Sequence, residues 1–196
     1  MKKNFSKEFL KKISLISENI NLKILDQIIM ELKKLKKNKG RLFFIGLGGS
    51  AANSSHAVND FRKICNINSL SPIDNVSELT ARINDDGWEN VFKDWLEVSN
   101  LTSKDIVFFL SVGGGNKKNK VSENLIVALD YAKRRGSKIL GIIGKKDGYI
   151  KKKGHNVLVI PEVDQKLITP LAESYQSIIW HLIVSHPLLK ENKTKW

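Results

Sequence analysis

Apolar positions follow two periodicities in alternation. From Ser6 to Asn38 they recur every three or four residues, first as Phe9, Leu10, Ile13 and Ile16, then as Leu22, Leu25, Ile28, Ile29, Leu32 and Leu35. That spacing predicts two amphipathic helices, the first capped by Ser6 and the second ending in lysines before Gly40. Leu42 to Ile45 is an unbroken apolar run, as a strand buried on both faces requires. Asp105 to Ser111, Lys138 to Ile143 and Asn156 to Ile160 repeat the pattern, and Ile67 to Leu70 predicts a shorter strand.

Helical patterns lie between these runs. One opens in the glycine turn after Ile45, one starts near Asp74, and Trp88 to Ser99 carries Val91, Phe92, Trp95 and Leu96 on its inner side. Others span Val121 to Arg135 and Asp147 to Lys153. The last opens at Thr169-Pro170, with Pro at the first helical position, and runs through Trp180 and His181 to Pro187. Asn84-Asp85-Asp86-Gly87 reads as a polar loop, and Lys190 to Trp196 as a fraying tail. Strands alternating with helices predict an α/β fold with a parallel sheet covered on both faces by right-handed crossovers. Residues 1–39 are then N-terminal helices, 40–188 the core and 189–196 the tail of one domain. Ligands are expected beyond the carboxyl ends of the strands, where Gly46 to Ser50 and Ser111 to Gly115 fall.

With 196 residues, 41% apolar and 27% charged, the chain can bury a full core. No run is long and apolar enough for a membrane helix, and no signal segment opens the chain, so a cytoplasmic protein is expected. The net charge of +13 raises nucleic acid as a partner. The basic residues are nearly all lysine, with five arginines, and aromatics are not interleaved with them. Solvated lysine faces explain this better than a nucleic-acid platform does. The lone Cys65 excludes an internal disulfide and reads as a small core residue.

The chemistry concentrates at the first glycine turn. Gly48 and Gly49 let a ligand approach the main chain, and unpaired N–H groups at the following helix start suit an anion. Ser50, Asn53, Ser54 and Ser55 add polar groups, of which helix capping claims at least one. Gly46-x-Gly48-x-x-Ala51 matches a dinucleotide fingerprint, but Cys65 to Leu70 lacks the acid that would hold a ribose. His56 and Asp60, four apart, share one helix face; they make either a surface pair or an acid/base and metal-ligand pair. His155 and His186 read as surface residues.

Gly46-Leu47-Gly48-Gly49-Ser50, His56-x-x-x-Asp60, Asn84-Asp85-Asp86-Gly87, Leu110-Ser111-Val112-Gly113-Gly114 and the helix from Pro170 to His181 together resemble, in order and spacing, the motifs of the phosphoheptose isomerases, which are sugar isomerase (SIS) domain proteins. The similarity runs from residue 20 to 188. This resemblance implies a three-layer sandwich with a flavodoxin-like parallel sheet, assembled as a homotetramer with active sites between subunits. It implies conversion of sedoheptulose 7-phosphate to D-glycero-D-manno-heptose 7-phosphate, in heptose biosynthesis for lipopolysaccharide, capsule or surface polysaccharide. It also implies one zinc per subunit, on His56, Asp60, Glu173 and His181. Substrate binding falls on Gly48, Gly49, Ser50, Asn53, Asn84, Asp85, Ser111, Gly113, Gly114 and Gly115. Catalysis falls on Asp60 or Glu173 as base and His181 as acid. A ketose-to-aldose shift moves a proton between neighbouring carbons through an enediol, which suits a carboxylate, an imidazole and a divalent cation.

The chain departs from the family pattern in four places. Leu47 replaces an asparagine, Asp60 a glutamate, and Glu173 a common glutamine. Ser111-Val112-Gly113-Gly114-Gly115-Asn116 replaces a Ser-Thr-Ser-Gly-Asn-Ser loop, and Lys117-Lys118 follow it. Glu173 and His181 are eight apart, roughly 12 Å of helix rise, so one ion meets both only at a loose helix end. A sugar-phosphate-binding regulator without isomerase chemistry is the alternative these changes leave open.

Overall fold

The computed structural model describes residues 4–194. Its strands are β1 (Leu42–Gly46), β2 (Ser69–Leu70), β3 (Ile106–Ser111), β4 (Lys138–Ile143) and β5 (Asn156–Val159). All pair in parallel in the order β2-β1-β3-β4-β5. The direction of winding reverses between β1 and β3, and a crevice opens at such a switch point beyond the strand ends. The turns after β1 and β3 flank it. The parallel α/β architecture and its flavodoxin-like order are as the sequence predicts.

Alternate residues of each strand feed two cores. Phe44, Phe108, Leu110, Leu140 and Leu158 pack under α1 (Phe5–Glu18), α2 (Leu22–Lys37), α3 (Gly49–Lys63) and α8 (Ile168–Ser185). Phe43, Ile45, Val107, Phe109 and Ile139 pack beneath α5 (Val91–Val98), α6 (Glu123–Arg134) and α7 (Tyr149–Lys153), with Leu79 and Ile83 of α4 (Val76–Asp86) at the edge. Each fully buried Phe contributes about 2–3 kcal/mol by leaving water. Phe44, wedged between Phe61 at 5.2 Å and Phe108 at 5.1 Å, couples α3 to the sheet.

Several local expectations change. Asn4, not Ser6, caps α1, its side chain accepting from Lys7 N–H. Leu10 and Leu22 lie on exposed faces of α1 and α2 despite the apolar spacing. Asn84 to Asp86 are the last turn of α4, not a loop, because the Asn75 cap starts a helix that runs on until Gly87, at φ 85°, ends it. The Trp88-to-Ser99 helix begins only at Val91. A 3-10 turn, Gln165–Leu167, leads into α8 and puts Pro170 third in the helix, where its missing N–H still costs nothing. Part of the tail does not fray. Leu189 is buried, Glu191 pairs with Lys36 at 2.7 Å, and the Asn192 amide donates to Lys63 O at 2.7 Å. Lys195 and Trp196 lie outside the described residues. Cys65 is buried as expected, and burial pushes its thiol up to about 11.

Candidate metal and sugar-phosphate site

α3 begins at Gly49 because Gly48 takes φ 58°, a left-handed conformation that turns the chain from β1 into the helix. His56 and Asp60 then fall on successive turns of its outer face. α8 lies beside α3 on the same side of the sheet. Asn53 fastens the two, its amide donating to the Glu173 carbonyl at 2.9 Å and to Gln176 Oε1 at 3.1 Å. This packing brings His181 to His56 and Asp60 although more than a hundred residues separate them.

The three form one cluster, their ligand atoms all within 4.8 Å of one another. His56 Nε2 is 3.9 Å and His181 Nε2 3.8 Å from the same oxygen, Oδ2 of Asp60. Those are too long for hydrogen bonds. Ligand atoms around a tetrahedral zinc at ~2.0–2.2 Å stand roughly 3.4 Å apart, so a small inward movement closes the set on an ion. His181 Nδ1–H donates to the Ser177 carbonyl at 2.8 Å, which fixes the tautomer and leaves Nε2 as the acceptor nitrogen. Asn59 donates to Asp60 Oδ1 at 2.8 Å, so Oδ2 faces the imidazoles. Two imidazoles and one carboxylate with an open fourth position are the donor set of a catalytic zinc. The cluster opens on a cavity of about 410 Å³ whose rim includes Lys63 and Lys193.

Glu173 stands apart from that cluster. Its Oε2 lies 2.5 Å from where a Cβ on Gly49 would be, so the carboxylate sits at the start of α3. Ser50 beside it is buried, and its hydroxyl has no partner among the described residues. Asn53 spends its amide hydrogens on α8. Asn84 and Asp85, bonded to each other at 2.7 Å, are exposed on α4, and no contact joins them to the cluster among the described residues.

The loop after β3 is tightly built. Ser111 Oγ accepts the Gly114 N–H at 2.9 Å, while Gly114 and Gly115 take φ 69° and 77° and accept Ile150 and Tyr149 N–H groups at 2.9 Å. Gly113 borders open space. Lys117 is turned away from the crevice. It pairs with Asp130 at 3.3 Å beside Tyr149, whose hydroxyl donates to the same carboxylate at 2.7 Å. Burial first, then Asp130, pushes the Tyr149 hydroxyl above its ordinary pKa. His155 is exposed, as expected, and its Nδ1 accepts Ile139 N–H at the start of β4.

Sequence reasoning missed Asn59, Ser177 and Trp180. Ser177 lies one turn before His181, a spacing readable once His181 is suspected. Trp180 sits beside His181 in the chain, but its contact with His56 depends on how α3 meets α8.

A doubly wound sheet with polar turns at its switch point and a His/Asp cluster on the flanking helices defines a sugar isomerase (SIS) fold. No family profile matches the chain. A phosphoheptose isomerase from Nitratiruptor sp. is 32% identical over 155 residues, covering 76% of each chain. The lincomycin biosynthesis protein LmbN of Streptomyces lincolnensis is 30% identical over 154 residues, 75% of this chain but only 56% of that one. The phosphoheptose isomerase GmhA of Neisseria gonorrhoeae superposes with a TM-score of 0.79 at 20% identity, over 93% of this chain and 96% of that one. The chain belongs to the phosphoheptose isomerase family, a family of sugar-phosphate isomerases. None of the described helices is long and apolar enough to cross a membrane.

Proposed function

We propose that the protein is a metal-assisted aldose-ketose isomerase converting sedoheptulose 7-phosphate to D-glycero-D-manno-heptose 7-phosphate, for lipopolysaccharide, capsule or surface polysaccharide. The observation that carries this reading is the convergence of His56 and His181 Nε2 on Asp60 Oδ2. These residues fit one zinc per subunit. A bound divalent cation supplies polarisation of the C2 carbonyl and stabilises charge developing on its oxygen.

Asp60 is assigned the proton that moves between C1 and C2. The position of Glu173 is commonly glutamine in the family, and glutamine cannot take a proton. His181, its Nδ1–H held by Ser177, would offer its single Nε2 lone pair to the cation, so the acid role in ring opening is not assigned to this nitrogen while the ion is bound. Glu173 discourages a phosphate at the start of α3 by like charge. The Ser111-to-Gly115 loop, with Gly113 open, is then the phosphate cradle, and the sugar chain is assigned to the turn of Gly48, Gly49 and Ser50, where Gly48 borders open space; Asn53, its amide committed to α8, keeps only its side-chain oxygen for it. Asn84 and Asp85 reach a neighbouring subunit's substrate in a cytoplasmic homotetramer. The exposed Trp88 just beyond the end of α4, with the exposed Val76 at the start of the same helix, supports a buried partner surface along α4.

The second reading, a non-catalytic sugar-phosphate-binding regulator, is favoured by the glycine-rich loop after β3. Incubation of the protein with sedoheptulose 7-phosphate, with and without zinc, and detection of the aldose by NMR separates the two. Zinc-dependent turnover is expected; tight binding without turnover in both conditions selects the regulator.

A further inference from the structure

Trp180 is wholly buried, yet it touches both imidazoles of the cluster. Its ring centroid lies 4.7 Å from that of His56 at an interplanar angle of 66°, and 3.5 Å from that of His181 at 30°. The two imidazoles meet edge to face at 5.4 Å and 86°. Sequence neighbours on a helix do not ordinarily face each other, so the His181 ring is folded back over the indole. Ser177 holds that ring by its Nδ1–H. No hydrogen bond fixes the His56 ring among the described residues.

A ligating imidazole normally owes its orientation to a hydrogen bond from its second nitrogen. His56 has the indole instead. Filling the core does not account for a tryptophan at this position. Its Nε1–H is buried without an acceptor among the described residues, a desolvation cost that a phenylalanine would avoid.

We propose that Trp180 is a positioning residue, the aromatic platform that sets the ring planes of His56 and His181 so that both Nε2 atoms converge on Asp60. The proposal rests on the reading that His56, Asp60 and His181 hold a divalent cation. It predicts that metal affinity depends on a flat aromatic surface at position 180, and that the indole senses the ion.

The test is zinc titration of the chelator-stripped full chain, by calorimetry in competition with a chromophoric chelator, for wild type, Trp180→Phe and Trp180→Leu. The thermal midpoint of each metal-free protein is measured alongside. Trp180→Phe is expected to bind within threefold of wild type, and Trp180→Leu about 10- to 100-fold more weakly, the range for partners that orient ligands. Binding by folded Trp180→Leu equal to wild type overturns the proposal, whatever its thermal midpoint, because a packing role would lower stability alone. If Trp180→Leu does not fold, fluorescence decides. Zinc must change the emission component that wild type has and Trp180→Phe lacks, and binding without such a change overturns the proposal. A wild type that binds no zinc by calorimetry overturns the metal reading itself, and the platform with it.

Discussion

Glu173 rests its carboxylate against Gly49, at the point where any side chain on that glycine would have to go. The crowded atoms are the far end of a flexible side chain, so a methyl group at position 49 displaces Glu173 more readily than it disturbs the backbone. Gly49→Ala is therefore expected to fold, with a loss of no more than ~1–2 kcal/mol, and to lose substrate affinity as Glu173 is pushed into the crevice. Urea denaturation and KM for the sugar phosphate check this. A fully active, equally stable variant would show that the close approach is incidental.

The two carboxylates of the site are expected to separate under isosteric change. Asp60→Asn removes both the negative charge of a ligand and the proton carrier, so turnover should fall by about 10²–10⁴. Glu173→Gln removes one negative charge beside an anion site and should retain turnover with a lower KM. Steady-state kinetics with zinc supplied distinguishes them. The reverse pattern would transfer the base role to Glu173.

How much of this was legible beforehand differs from residue to residue. His56 and Asp60 are four apart, and helical geometry alone puts them on one face. Their meeting with His181 depends on the packing of α8 on α3, which no local pattern encodes; only the resemblance to a family supplied it. Asn84 and Asp85 are not assignable from the sequence because a polar run looks the same in a loop and in an exposed helix end, and Asn75 and Gly87 decide between them. Leu10 and Leu22 share the helical spacing of core residues, yet they point away from this chain's core. The strands are legible because burial on both faces leaves polar residues only at their ends, as at Ser69, Ser111, Lys138 and Asn156.

Asp130 links the loop after β3 to the body through Lys117 and Tyr149. Asp130→Ala should release that loop and raise KM several-fold with a smaller change in kcat, since positioning the phosphate is a binding function. Loss confined to kcat would place the effect elsewhere.

Asp105 makes part of the fold's stability dependent on acid pH. It is buried and receives Arg41 Nη2 at 2.8 Å, Arg41 N at 2.9 Å and Thr102 N at 2.9 Å, tying β3 to the residue before β1. Burial alone would raise its pKa, but the donors from Arg41 and Thr102 outweigh burial and hold it below the ordinary carboxylate range. A depressed carboxyl contributes stability that is complete above its unfolded pKa of about 3.9 and lost as pH falls through the lower folded value. Asp105→Ala should cost about 3 kcal/mol at pH 7 by taking the carboxylate from Arg41, which keeps only its bonds to the Ser99 and Asn100 carbonyls. In urea denaturation the gap to wild type should narrow below pH 4; a gap independent of pH would contradict the assignment.

The segment after α8 returns across the end of α3, held by Lys36 and Lys63, and lays Lys193 and Thr194 on the rim of the His/Asp cavity. For anyone preparing the protein this decides where to attach a handle. A histidine tag fused directly after Thr194 would start on that rim and offer its own imidazoles to added zinc, giving a false stoichiometry. Metal titrations therefore call for a tag at the other end, or one cleaved before measurement.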